Sequence, residues 1–206
     1  MTLPIAIFIE PRGVLLEEIV QRKTMLEKIL PGMPYTSHPP HSTLIFGNYG
    51  EPDAWLARLR ERLKSMACFP LHVKSWVNFE NDVLAGGGNT IAYRATASKE
   101  LLALQVAVAE IVAPFHSVKV GKAPHPLAGR EPFATSLRLY GSPFIGAHWI
   151  PHFTIGSLKG PTASELALLL TQETPNYTFS VDCISVWKVE GEKHERLHEI
   201  ALAGKL

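Results

Sequence analysis

One short pattern occurs twice in this chain. Pro40-His41-Ser42-Thr43-Leu44 and Pro151-His152-Phe153-Thr154-Ile155 both read Pro-His-x-Thr followed by an apolar residue, and the two histidines stand 111 positions apart. A further 35 residues beyond each histidine lies a tryptophan, Trp76 or Trp187, in a β-forming run that follows a helical one. With nine histidines in 206 residues, chance alone supplies about 0.5 His-x-Thr, so the triplet by itself is weak. The shared proline, the apolar follower, the helix after it and the equal step to tryptophan together identify a duplication. The fold must therefore accommodate two similar halves, each built around a His-x-Thr strand. Upstream the copies differ: Phe8 lies 33 residues before His41, whereas its counterpart Tyr93 lies 59 before His152. The second copy thus carries about 26 extra residues, which fall in an irregular stretch at about 113–148, and excess loop of that length serves binding more often than folding.

Periodicity places the other elements. Apolar β-forming runs predict strands at 3–10, 42–46, 69–79, 90–97, 150–158, 177–189 and 196–202, with one more at 135–140 inside the insertion. Helical spacing predicts helices at 14–30, 53–66, 98–112 and 162–173, with Asp53 and Ser98 as N-caps of the second and third. Gly86-Gly87-Gly88 reads as the turn of an antiparallel hairpin, and no helix follows it to make a phosphate loop. Short helices between hairpin-linked strands define an α+β architecture with antiparallel sheets, not a doubly wound parallel one. Residues 1–206 read as one two-lobed domain of duplicated halves.

Charge and cysteine usage narrow the function. Twenty Lys and Arg balance nineteen Asp and Glu, so no global basic field exists to hold long duplex nucleic acid. A nucleotide or an RNA end remains a fitting partner. Cys68 and Cys183 are far apart and suggest neither a disulfide scaffold nor a thiolate zinc site. No apolar run reaches the roughly 18 residues of a spanning helix, and the N-terminus lacks a signal-peptide pattern. The expectation is a cytoplasmic monomer that does not engage membranes.

Successive strand residues point to opposite faces, so His41 shares a face with Thr43, and His152 with Thr154. If the halves face each other, one imidazole stands on either side of a cleft. In-line cleavage of a phosphodiester needs one group to take a proton from the nucleophile and another to give one to the departing oxygen. Histidine suits both roles near neutrality, and threonine hydroxyls can donate to the phosphate oxygens. His38 and His148 stand three and four residues before the motif histidines. An offset of three turns side chains to opposite faces of a strand, so a shared metal is not indicated. Trp76 and Trp187 suit a core better than a base-stacking platform, and Lys119, Lys122, His125 and Arg130 in the insertion suit a solvated loop better than a phosphate clamp.

The paired H-S-T-L and H-F-T-I motifs and the duplicated layout resemble the two-histidine phosphoesterase superfamily, which includes 2′-5′ RNA ligase-like proteins and RNA 2′,3′-cyclic phosphodiesterases. The resemblance spans essentially the whole chain. It implies a bilobal fold, antiparallel sheets facing a central cleft with helices outside, and both motifs on the cleft floor. It further implies a metal-independent phosphodiesterase without cofactor that opens a 2′,3′-cyclic phosphate of an RNA end or nucleotide to a 2′-phosphate, with possible reverse 2′-5′ ligation. By the resemblance His41 is the proton donor to the leaving oxygen, His152 the base that activates water, and Thr43 and Thr154 hold the phosphate. The pseudo-symmetry leaves an exchange of the two histidine roles open. Two alternatives stand beside this reading: hydrolysis of 2′-5′-linked oligonucleotides or another small cyclic phosphodiester, and a nucleotide-binding module without turnover.

Overall fold

The structure, a computed structural model, describes residues 2–117 and 125–204. In chain order the elements are β1 (Thr2–Ile9), α1 (Val14–Ile29), β2 (Ser42–Gly50), α2 (Leu56–Leu63), β3 (Phe69–Asp82), β4 (Gly88–Ala95), α3 (Lys99–Val112), α4 (Phe133–Tyr140), β5 (His152–Leu158), α5 (Ala163–Leu170), β6 (Tyr177–Val181), β7 (Cys183–Glu190) and β8 (Lys193–Ala201). The strands form two four-stranded sheets, ordered β2-β1-β7-β8 and β5-β4-β3-β6, with every named pairing antiparallel.

The sheets are not the sequence halves. β3, from the first copy, pairs with β4 of the second, while β7, from the second, pairs with β1 of the first. The helices cross over too: α1 packs against β5 and α3 against β2. Each His-x-Thr strand is thus backed by a helix from the other copy, which interlocks the two. Leu15, Ile19 and Leu26 on α1, and Leu101, Leu104, Val108 and Val112 on α3, are buried in one apolar cluster with strand residues such as Ile5, Ile7, Leu44, Ile91, Phe153 and Ile155. Ser98 caps α3 as its sequence predicts, accepting from the Leu101 amide at 3.2 Å. Asp53 does not cap α2: a 3₁₀ turn at Pro52–Ala54 precedes the helix, and Trp55 takes the cap position without a side-chain bond.

Two other expectations change. The run 177–189 is not one strand, because Asp182 ends β6 on β3 and starts β7 on β1. The inward positions run at odd numbers through Val181 and at even numbers from Ile184, a change of phase at the switch that the adjacent apolar Cys183 and Ile184 blur in the sequence. The expected strand at 135–140 is helical, forming α4. Phe133, Ser136, Leu137 and Tyr140 are buried or half-buried while Arg138 and Leu139 are exposed, a period of three to four that six residues alone cannot distinguish from alternation.

The described part of the insertion packs on α3 and the far end of β2. The Tyr49 hydroxyl donates to the Tyr140 carbonyl at 2.6 Å. Gly47 admits the chain there: a Cβ at this position would stand 2.7 Å from the Gly141 carbonyl oxygen.

Candidate active site

His41 immediately precedes β2 and His152 opens β5. His41 and Thr43 are half-buried between the buried Ser42 and Leu44, and His152 and Thr154 are half-buried beside the buried Phe153 and Ile155. That is the alternation a strand imposes when one face enters the core and the other borders an open site. Each motif is followed by a β-bulge at the same place. Ile7 pairs with Ile45 but Phe8 with Thr43, which skips Leu44; Ile91 pairs with Gly156 but Ala92 with Thr154, which skips Ile155. Matched bulges make Phe8 the counterpart of Ala92, one residue from the Tyr93 that spacing suggests. By the same register Trp187, opposite Ala6, corresponds to Phe79, opposite Thr90, and not to Trp76.

This assignment explains the aromatic surroundings. Phe8 stacks on the His41 ring at 3.8 Å between centroids, with Trp187 at 6.2 Å from Phe8. Phe79 lies 4.8 Å from the His152 ring. Trp76 faces the other way, stacking on Tyr93 at 3.9 Å beneath the Arg22 guanidinium of α1. Trp76 is therefore a packing residue between helix and sheet, while Trp187 borders the His41 site.

The two imidazoles are held alike. His41 Nδ1 lies 2.7 Å from the Pro39 carbonyl oxygen, and His152 Nδ1 lies 2.7 Å from that of Ile150. A carbonyl only accepts, so Nδ1 carries hydrogen in both rings and Nε2 is the nitrogen free for proton transfer. β2 and β5 lie in different sheets, yet their Cα atoms approach within 8 Å. The loop between α1 and β2 spans the two motif strands: Pro34 O accepts from the Ser157 amide of β5 at 3.0 Å, and the same loop then delivers His41.

Burial pushes the His41 imidazole down to about 3, opposed by its bond to Pro39 and assisted by the positive surroundings of Lys23, His194 and His38. Burial also lowers His152, where the bond to Ile150 and the Asp82 carboxylate act in the opposite direction. The same carboxylate adds to the effect of burial on Tyr35, whose phenol rises to about 12 and remains a hydrogen-bond donor. Both histidines are therefore neutral in the folded protein at neutral pH. As pH falls below about 6.5 the unfolded chain takes up protons at these positions before the folded chain does, so folding loses stability toward pH 3. Replacing both with glutamine is expected to flatten the fall of Tm across that window, measured by thermal melts at stepped pH; an unchanged slope would show that the rings are not buried in the neutral form.

Several residues at the site had no mark in the sequence. Tyr35 adopts φ 73, one of two non-glycine residues with positive φ among those described, the other being Asn81 beside Asp82. Arg94 is opposite His152 in the β4–β5 register and shares its face with an exposed side chain, while Glu10 near His41 accepts from Trp187 Nε1 and lies 3.5 Å from Arg196. His194 comes from the start of β8, 6.2 Å from the His41 ring and 4.4 Å from that of His38. Only strand pairing could have brought these together.

The remaining candidates separate. His38 joins this cluster, but His148 is held inside the insertion, its Nε2 2.9 Å from Ser136 Oγ and 3.0 Å from the Pro143 carbonyl oxygen. His125 Nδ1 accepts from the Leu127 amide and Arg130 is exposed. Lys119 and Lys122 lie outside the described residues. Among the described residues no three His, Cys, Asp or Glu side chains are grouped as metal ligands would be. No helix among them is long and apolar enough to cross a membrane.

Two interlocked antiparallel sheets, each presenting a His-x-Thr strand with a free Nε2, define a paired-histidine α+β protein. The model of the 2′-5′ RNA ligase superfamily matches residues 16–193, and the chain belongs to that superfamily. In structure it is similar to TT0787 of Thermus thermophilus, at 16% identity and a TM-score of 0.59 with 100% of both chains covered. It is also similar to E. coli LigT complexed with 3′-AMP, at 15% identity and a TM-score of 0.57 over 99% of this chain and 100% of that one. LigT complexed with phosphate gives 15% identity and a TM-score of 0.58 over 98% and 99%. Among curated proteins nothing matches in sequence.

Proposed function

We propose that the protein is a phosphodiesterase that hydrolyses a 2′,3′-cyclic phosphate, on an RNA end or a nucleotide, to a 2′-phosphate. The observation that carries this reading is the matched pair of Nδ1–carbonyl bonds, which leaves two Nε2 atoms on neighbouring strands with a threonine beside each. Water attacks phosphorus in line with the 3′ oxygen while His152 Nε2 takes its proton. The P–O3′ bond breaks, and His41, neutral in the free protein but protonated at Nε2 when the phosphate anion binds beside it, gives that proton to O3′. Thr43 and Thr154 donate to the non-bridging oxygens, where charge builds. His152 leaves the cycle protonated and His41 neutral, and exchange with water restores both. Two imidazoles and two hydroxyls supply every proton and hydrogen bond this scheme requires. The reverse step, attack of a 5′-hydroxyl on the cyclic phosphate, follows from microscopic reversibility.

Electrostatics distinguish two otherwise similar histidines. Lys23, His38 and His194 depress His41, which makes its imidazolium a stronger acid; Asp82 favours the imidazolium of His152, which makes that ring the better base. Arg94 on the His152 face is exposed and Glu10 on the His41 face is engaged by Trp187 and Arg196, so neither reverses the order.

The test is hydrolysis, in EDTA, of a nucleoside 2′,3′-cyclic phosphate and of a short RNA with a cyclic phosphate end, with the product isomer identified. A 2′-phosphate supports the scheme. A 3′-phosphate would reverse which oxygen leaves, and nucleotide binding without turnover would make the protein a binding module. The pH profile is a second check. A phosphate anion beside Nε2 favours imidazolium, so the alkaline limb of kcat is expected at higher pH than that of kcat/KM, which reports the free protein. Coincident limbs would remove His41 as the acid.

A further inference from the structure

We infer that the His41 side of the cleft contains a second phosphate subsite, formed by His38 and His194, which reads an anionic group one link away from the reacting phosphate. The inference rests on the reading above, because it places the departing O3′ and the ribose that carries it on the His41 side.

The subsite is assembled from three separate parts of the chain. His38 comes from the α1–β2 loop, His41 from the start of β2 and His194 from the start of β8, with ring centroids 4.4 Å apart for His38 and His194 and 6.2 Å for His41 and His194. Their nitrogens do not converge on a point as metal ligands do. They form instead a row of imidazoles extending from the reacting position, each of which donates from Nε2 once an anion beside it draws in a proton. His194 Nδ1 lies 3.1 Å from the Glu192 carbonyl oxygen, so it too carries hydrogen toward backbone and leaves Nε2 for a ligand.

A cation stands behind the row. Lys23 is 6% exposed, and its ammonium donates to the Tyr35 and His38 carbonyls. Among the described residues no carboxylate lies within ion-pair distance of it, and the exposed Glu192 carboxylate, acting from further off, only partly offsets the effect of burial. A buried ammonium is costly unless something opposes its charge, and an anion held by the adjacent imidazoles would do so. The Lys23 bonds also hold Tyr35 at φ 73, a conformation unfavourable for a residue with a side chain that persists where the surroundings enforce it. One carboxylate, Glu192, borders the row. It accepts from Ser37 and lies 3.4 Å from His38 Nε2, with its own side chain 69% exposed. It ties the β7–β8 turn to the α1–β2 loop and leaves His194 Nε2 open.

The ribose whose O3′ departs stays bonded to phosphorus through O2′, and it carries its next phosphate on the 5′ side, away from the reacting position. That phosphate is either the preceding diester of an RNA chain or the 5′-monoester of a small nucleotide. Both present the same oxygens to the row, and the substrates below distinguish them.

The experiment compares a nucleoside 2′,3′-cyclic phosphate, its 5′-phosphorylated form, and a dinucleotide with a cyclic phosphate end, using wild type and the variants His38→Gln, His194→Gln and Arg94→Gln. Wild type is expected to favour a substrate with the second phosphate by about 10-fold or more in kcat/KM, and His194→Gln and His38→Gln to compress that ratio to about 2-fold. Preference for the monoester form marks a nucleotide subsite, and preference for the dinucleotide marks an RNA one. No preference in wild type, or one removed by Arg94→Gln but retained in His194→Gln and His38→Gln, overturns the inference. Binding of a nucleoside 2′,5′-bisphosphate against the 2′-monophosphate, by calorimetry, separates this from the catalytic reading. A bisphosphate advantage that needs His194 supports the subsite even without turnover, and equal affinities overturn it even where turnover is found.

Discussion

His41→Ala and His152→Ala are each expected to lower kcat/KM on a 2′,3′-cyclic phosphate by about 10²–10⁴, the usual worth of a positioned general acid or base. The double variant should fall little further than the worse single one, because a proton taken without one given leaves the displacement incomplete. Folding should survive. Both side chains are half-buried, their bonds are to backbone two residues away, and the main loss at His41 is its stack on Phe8. Thermal melts should therefore show small shifts while activity collapses. A diester with an activated phenol as leaving group separates the roles, since a departing phenolate needs no proton. His41→Ala should recover most of its lost rate on that substrate and His152→Ala should not. The opposite recovery would exchange acid and base, and activity within about threefold of wild type in either single variant would show that the pair does not perform the proton transfers.

The two motif histidines and their threonines were legible because strand alternation is a local rule, and four residues suffice to state it. The rest of the site was not local. His194 reaches His38 only because β7 leaves its own copy to pair with β1 and brings β8 with it, and within 177–189 the switch at Asp182 shows only as a phase change blurred by the adjacent Cys183 and Ile184. Arg94 is read from the β4–β5 register, and that register depends on a bulge that the sequence does not show. The tryptophan spacing illustrates the limit. Equal steps of 35 residues suggested that Trp76 and Trp187 correspond, yet the paired bulges make Trp187 the counterpart of Phe79, and Trp76 packs beneath Arg22 on the opposite face. The correspondence of the two copies rests on the matched bulges after each His-x-Thr and not on the tryptophans. Within the insertion the expected strand is a helix, because Leu137 and Leu139 fit alternation while Leu137 and Tyr140 fit a helical step, and packing against α3 decides.

Gln105→Met is expected to cost about 3–5 kcal/mol of stability. The Gln105 side chain is fully buried on α3, and its amide spends every bond on backbone. Nε2 donates to Leu44 O at 3.1 Å and to Phe144 O at 2.7 Å, while Oε1 accepts from the Gly146 amide at 2.9 Å. Leu44 is the residue the β1–β2 register skips, directly after Thr43, so Gln105 holds the bulge of the first motif and docks the insertion in one step. Methionine matches the length and apolar stem but leaves two carbonyls and one amide buried without partners, each worth about 1–3 kcal/mol. With roughly 2–4 °C of Tm per kcal/mol at this size, the melt should fall by about 6–20 °C. Catalysis reports separately on the bulge. At a temperature where the variant stays folded, a loosened Leu44 shifts Thr43 and His41 against the phosphate, and kcat should fall at least about 10-fold, since small misplacements of reacting groups are amplified in rate. A Tm loss with unchanged kcat would mean that Gln105 anchors the insertion alone, and a stability loss below about 1 kcal/mol would show that water or rearranged backbone replaces all three bonds. Glutamate is the sharper companion variant. It preserves the acceptor for Gly146 but turns a carboxylate oxygen toward the carbonyls of Leu44 and Phe144, so Gln105→Glu should be less stable than Gln105→Met at neutral pH and recover toward it in acid, where a protonated carboxyl can donate again.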